Sequence, residues 1–93
     1  MAIKGFQHKG LEQFFVAGTK RGIQAKHADR LRLILGALNA ATGPQDMNLP
    51  GLDLHGLQGN RKGTWALKVS GNWRLTFGFA GKDAERVDYE DYH

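Results

Sequence analysis

A chain of 93 residues without cysteine can carry neither disulfide staples nor thiolate metal sites, and its length supports one modest core, so a single domain over residues 1–93 is expected. An apolar fraction of 41%, with two tryptophans, two tyrosines and five phenylalanines, excludes a disordered segment, and no apolar run approaches the ~20 residues that span a bilayer. Thirteen Lys and Arg against nine Asp and Glu leave a formal charge of +4, a mild excess that many proteins of this size carry for solubility alone.

The opening MAIKGFQHKG lacks the apolar stretch of a signal peptide, which makes the cytoplasm the expected compartment, with no membrane partner. Ile3 to His8 can form a short first strand. Lys9 to Ala17 reads as a helix, because Leu11, Phe14 and Phe15 fall at i, i+3 and i+4 and Gly18 supplies a C-terminal stop. After the basic connection TKRG, a second helix is expected from about Gln24 to Ala41. Leu31, Ile34, Leu35 and Leu38 line one face of it, Lys26, Arg30 and Arg32 lie mostly off it, and Gly43-Pro44 ends it.

Pro44 to Gly63 is long for a connection within a compact domain, and such segments often serve function. Within it LDLHGLQGN offers a short edge strand. TWALKVS, NWRLTFGF and ERVDYEDYH then read as three strands joined by the turns Ser70-Gly71-Asn72 and Ala80-Gly81-Lys82-Asp83. Trp65, Leu67 and Val69, then Trp73, Leu75, Phe77 and Phe79, then Val87 and Tyr89, share the buried face. The expected order is β-α-α-β-β-β, an α+β domain with two helices packed on one face of a mostly antiparallel sheet.

Strand parity places Arg74, Lys68 and Tyr92 on the other face of that sheet. Arg74 there either covers the solvent side with its aliphatic stem or binds phosphate in a groove. Arg61 and Lys62, in GNRKG, serve the same groove or form a solvated turn. Of the four histidines, His8 and His27 are expected to be solvated on polar surfaces, His55 lies in the long loop and His93 ends the chain. A metal site from His55, Asp91 and His93 lacks tight ligand spacing and is set aside, so neither metal nor cofactor is expected. Acids gather in DAERVDYEDY, so most of the positive field belongs to residues 1–82, a distribution suited to a phosphate-bearing partner.

The pattern Leu54, His55, Leu57, Gly59, Arg61, Gly63 and Trp65, followed by Asn72-Trp73-Arg74-Leu75-Thr76-Phe77 and the terminal Tyr89-Glu90-Asp91-Tyr92-His93, resembles the HigB (host inhibition of growth) toxins of the RelE/ParE superfamily. The opening IKGF-x-HKGL fits as well, so the likeness covers essentially the whole chain. The resemblance implies a RelE-like fold and a metal-independent endoribonuclease that cuts mRNA in the A site of the 30S subunit, beside the 16S rRNA. It also implies a helix-turn-helix, HigA-like antitoxin, with operator DNA bound only through the toxin–antitoxin complex. Family catalytic roles map onto His55, Arg74, Asp91, Tyr92 and His93, and an RNA-contacting role onto Asn72. Gln58 stands where many relatives carry lysine, which implies that the phosphorane is stabilised more weakly or by Arg61, Lys62 or Lys68. A gyrase poison of the ParE kind and a catalytically silent corepressor remain alternatives on the same scaffold.

The chemistry suits those residues. Imidazole, with an unperturbed pKa near ~6.5, can accept or donate a proton at neutral pH. A guanidinium offers fixed donors to equatorial phosphate oxygens, which carry more charge in the transition state. His93 is expected to be the proton carrier nearest the reaction, oriented by Asp91 while Tyr92 stacks or hydrogen-bonds; which of His55 and His93 is base and which acid stays open.

Overall fold

The computed structural model describes residues 3–92. Helix α1 spans Lys9–Ala17 and starts at His8, whose Nδ1 accepts the Leu11 N–H at 2.9 Å. This cap satisfies one of the orphan donors of the first turn, so His8 has a structural use beyond solvation. Gly18 ends the helix in the left-handed region, φ +77°, and donates to the Phe14 carbonyl at 2.9 Å.

The chain then doubles back so closely that a Cβ built on Gly10 would lie 2.6 Å from the Gly22 backbone. A 3₁₀ turn, Ala25–His27, leads into helix α2, Ala28–Ala40. Ala28, Leu31, Ile34, Leu35 and Leu38 are buried, as the apolar spacing predicts. The 3₁₀ entry alters the phase of the first turn and carries His27 inward. His27 is 3% exposed, against the expectation of a solvated polar face.

Past α2, the Pro44–Met47 turn drops Met47 into the core and Leu52 follows. Four antiparallel strands then form one sheet in sequence order: β1 His55–Gly56, β2 Trp65–Ser70, β3 Trp73–Ala80 and β4 Asp83–Asp91. Ser70 pairs with Trp73 and Ala80 with Asp83, so both hairpins close on two residues headed by a glycine at positive φ, Gly71 and Gly81.

The predicted first strand is reduced to two isolated parallel bridges, Ile3 with Ala84 and Phe6 with Val87, along the free edge of β4. Lys4 N–H donates to the Ala84 carbonyl and Val87 N–H to the Gly5 carbonyl, at 2.7 and 3.1 Å. The segment is too short and irregular to build a full ladder, yet it covers an edge that would otherwise stay open.

The helices and the inner side of the sheet enclose one apolar cluster, in which Leu11, Leu31, Leu35, Leu38, Leu67, Leu75, Phe77 and Val87 are sealed from solvent. Truncating one such leucine to alanine typically costs about 2–5 kcal/mol. The other side of the sheet carries the residues of interest.

Candidate nuclease face

Register fixes two transverse rows on the outer side of the sheet. His55 stands opposite Ala66, Ala66 opposite Thr76, and Thr76 opposite Asp88; one step along, Lys68 stands opposite Arg74 and Arg74 opposite Glu90. With strands about 4.8 Å apart and about 6.7 Å per two residues, the His55 and Arg74 Cα atoms are about 12 Å apart. Two long side chains can flank one ribose-phosphate linkage across that distance.

His55 is exposed, and its Nδ1 lies 3.0 Å from the Asp53 carbonyl oxygen. A carbonyl can only accept, so Nδ1 carries the proton and Nε2 the exchangeable lone pair of the neutral ring. Asp53 holds φ +53°, uncommon for a residue other than glycine, at the point where the chain turns this carbonyl to the ring.

Arg74 anchors at the β2–β3 turn. Its Nη1 donates to the Gly71 carbonyl at 2.8 Å and the Trp73 carbonyl at 3.1 Å, and its Cζ sits 5.7 Å from the centre of the Tyr92 ring. Tyr92 is tied to the same turn, its N–H donating to the Asn72 carbonyl at 2.8 Å. A guanidinium fixed through Nη1 and backed by an aromatic face keeps Nη2 and Nε as donors for a phosphate.

The face is not the open groove that strand alternation suggests. The β1–β2 loop, residues 57–64, carries the 3₁₀ turn Gly59–Arg61 and sends Arg61 across the face to Glu90. Two parallel bonds join them, Nη1–Oε1 at 3.1 Å and Nη2–Oε2 at 2.6 Å, and Thr76 Oγ1 donates to the same Oε2 at 2.7 Å. Thr76 is consequently only 1% exposed, although it lies on the side of the sheet away from the buried apolar cluster. The Arg61 hydrogen bond above all, with help from Thr76, holds the Glu90 carboxyl below the ordinary carboxylate range although burial pushes the other way. Arg61 is in turn raised, chiefly by its bond to Glu90.

Beyond this roof a bulge in β4 puts Arg86 at φ +53° and lays its guanidinium over Gly78, in the space a side chain there would fill. Its Nη1 reaches Thr64 Oγ1 at 3.5 Å.

The remaining predicted positions divide. Lys68, exposed, is beside Arg74. Asn72 is exposed in the turn. Gln58 and Lys62 flank the 3₁₀ turn of the roofing loop, both exposed. Asp91 pairs with Trp73, whose parity is that of the core, so its carboxylate stands on the helix side and not beside Arg74. There it contributes to raising the pKa of Tyr89, after burial. Among the described residues, no cluster of three or more His, Asp or Glu is placed to hold a metal ion. His93 lies outside the described residues.

Sequence reasoning missed Glu90 and Thr76. Both have the outward parity of Arg74, a signal that was present, but their link to Arg61 depends on how a loop folds across three strands. It also missed His27, whose Nδ1 lies 2.5 Å from the Tyr89 hydroxyl beneath the stacked Trp73 and Tyr89 rings, centroids 4.4 Å apart.

Fold and face together define the class: a small α+β protein of the RelE-like toxin type, with an arginine, a tyrosine and a histidine displayed on the sheet. Residues 4–93 match the family described as the RelE-like toxin of the type II toxin–antitoxin system HigB, and the chain belongs to that family. A protein from Proteus vulgaris named Endoribonuclease HigB is 43% identical over 91 residues, which cover 98% of this chain and 99% of the relative. Membership in a type II system implies an antitoxin partner.

Proposed function

We propose that this toxin is an endoribonuclease that cuts messenger RNA in the ribosomal A site using protein side chains alone. The observation that carries the reading is the end-to-end likeness to an endoribonuclease, supported by a sheet face that carries Arg74, Tyr92 and His55.

In the reaction the ribose 2′-oxygen attacks the adjacent phosphorus and the P–O5′ bond breaks. The products are a 2′,3′-cyclic phosphate and a 5′-hydroxyl; one proton leaves the 2′-OH and one reaches O5′. Arg74 stabilises the charge that builds on the equatorial oxygens, and His55 Nε2 and the His93 ring are the two proton carriers. Tyr92 backs the Arg74 guanidinium and stacks on or hydrogen-bonds the nucleotide. Asp91, on the far side of the sheet, is a positioning residue for the end of the chain. Lys68, Lys62, Gln58 and Asn72 line the approach to the RNA. So sparse a face gains from a ribosome that presents the messenger already extended, since in-line geometry is then supplied from outside.

The antitoxin is proposed to be a small helix-turn-helix protein, the pair binding operator DNA together, and the compartment to be the cytoplasm. Among the described residues no helix is long and apolar enough to cross a membrane. A gyrase poison and a silent corepressor are disfavoured by the length of the match to an endoribonuclease.

The test is to map 5′ ends of cellular RNA after brief induction, beside a variant lacking His93. In-frame cuts within codons, absent from untranslated RNA and lost in the variant, are expected. Cuts spread evenly over untranslated RNA would remove the ribosome from the scheme, and full cleavage by the variant would remove His93.

A further inference from the structure

Glu90 is directly across the sheet from Arg74. Side chains so placed have Cβ atoms about 4.5–5.5 Å apart, and opposite charges in that arrangement ordinarily pair. Here they do not: the Glu90 carboxylate points to Arg61 and Thr76, and Arg74 bonds the turn carbonyls and meets Tyr92. Arg61 reaches Glu90 from a loop at the other end of β2 and offers the planar fork that a carboxylate accepts best. It takes both carboxylate oxygens.

We propose that Arg61 is a positioning residue that acts by occupying Glu90, so that Glu90 does not draw Arg74 away from the site where it meets the scissile phosphate. The assignment separates Arg61 from the phosphate ligands with which the sequence groups it. A guanidinium already bonded at both oxygens of a carboxylate brings little positive charge to an incoming RNA. Without Arg61, the guanidinium directly across the sheet from Glu90 is that of Arg74, whose present anchors are neutral carbonyls and therefore weaker than an ion pair.

Two consequences separate this role from RNA binding and from plain stapling of the loop. If Arg61 bound RNA, removing Glu90 as well could not restore what its loss took away. If it only held the loop down, removing Glu90 would not restore it either. If it occupies Glu90, neutralising Glu90 repairs the defect.

The inference rests on the ribonuclease reading, and the experiment is a double-mutant cycle on programmed ribosomes. Single-turnover cleavage by Arg61→Ala is expected to fall about ten- to hundredfold, toward the loss seen when a transition-state donor is misplaced. Arg61→Ala/Glu90→Gln is expected to return to within about threefold of Glu90→Gln alone. A double variant as slow as Arg61→Ala overturns the proposal. The Nε–H resonance of Arg74 gives a second readout that needs no ribosome: it should shift in Arg61→Ala and return in the double variant, and an unmoved resonance also overturns the proposal. Absence of cleavage by the native chain would count against the ribonuclease reading, and the resonance alone would then decide the Arg61 role. Arg61→Gln is the second variant should Arg61→Ala melt below the assay temperature. Unfolding of both would make the pair a condition of the fold and overturn the inference as stated.

Discussion

Arg74 shows how far one residue can be placed from sequence and where that placement stops. Alternation along NWRLTFGF puts it on the outward side of β3, and Tyr92 joins it by the same parity; the ring-to-guanidinium approach of 5.7 Å bears that out. Asp91, given its role by the family resemblance, has the opposite parity, and pairing with Trp73 leaves it on the helix side. Arg74's contribution should be almost wholly kinetic, because its side chain holds two turn carbonyls and lies over the Tyr92 ring. Arg74→Ala is expected to lower cleavage by about 10²–10³ and to move the melting temperature little. Arg74→Lys should recover only part, since an ammonium cannot grip the turn and present a planar pair of donors at once. Single-turnover rates beside thermal melts check both, and a Lys variant at native rate would mean that charge alone matters.

At the scale of elements, periodicity found what periodicity can find. Both helices, the three long strands and both two-residue turns were legible because their apolar spacing and glycines are local signals. The first strand was not, because its pairing with β4 is parallel and between chain segments about eighty residues apart. The roof of the outer face was not, because Arg61 reads as a solvated turn until the loop is seen to cross three strands. The start of α1 gives a case where two local effects oppose. Alanine in place of Gly10 would gain helix propensity of about 1 kcal/mol. Its Cβ would meet the Gly22 backbone at 2.6 Å, however, and backbone cannot step aside as a flexible side chain can. Overpacking of that kind costs about 1–3 kcal/mol, so Gly10→Ala is expected to destabilise on balance. Denaturant titration of Gly10→Ala and Gly18→Ala is the check, and a Gly10→Ala protein more stable than native would show that the α1 entry relaxes freely.

The whole molecule divides its charge by layer. Residues 1–40 hold seven Lys and Arg against two acids, and the remainder six against seven, so the helical half of the chain supplies the positive field while the sheet half is nearly balanced. Stability should therefore depend on pH through a few buried partners and not through net charge. His27 is held below its ordinary 6.5, first by burial and then by Lys26, and its Nδ1 meets the Tyr89 hydroxyl beside the Gln24 N–H. The neutral ring is the form that fits. Below 6.5 the unfolded chain takes up a proton that the folded chain refuses, so the stabilisation is complete above that pH and is lost as pH falls toward the depressed folded value. Glu90, held below its ordinary 4.5, adds a second loss further down, because the unfolded carboxyl protonates while the folded one is still ionised. Tyr89 acts in the alkaline range. Burial raises it above 10.0, so above that pH the unfolded phenol ionises first and stability falls again. The melting temperature should thus be flat from about pH 6.5 to 10, with an acid limb in two stages and a single alkaline limb. His27→Gln should remove the upper acid stage and leave the lower one, which Glu90→Gln should remove. A native melting temperature unchanged between pH 6.5 and 5 would show that His27 is not held neutral, and the link between α2 and β4 through Tyr89 would have to be carried by packing alone.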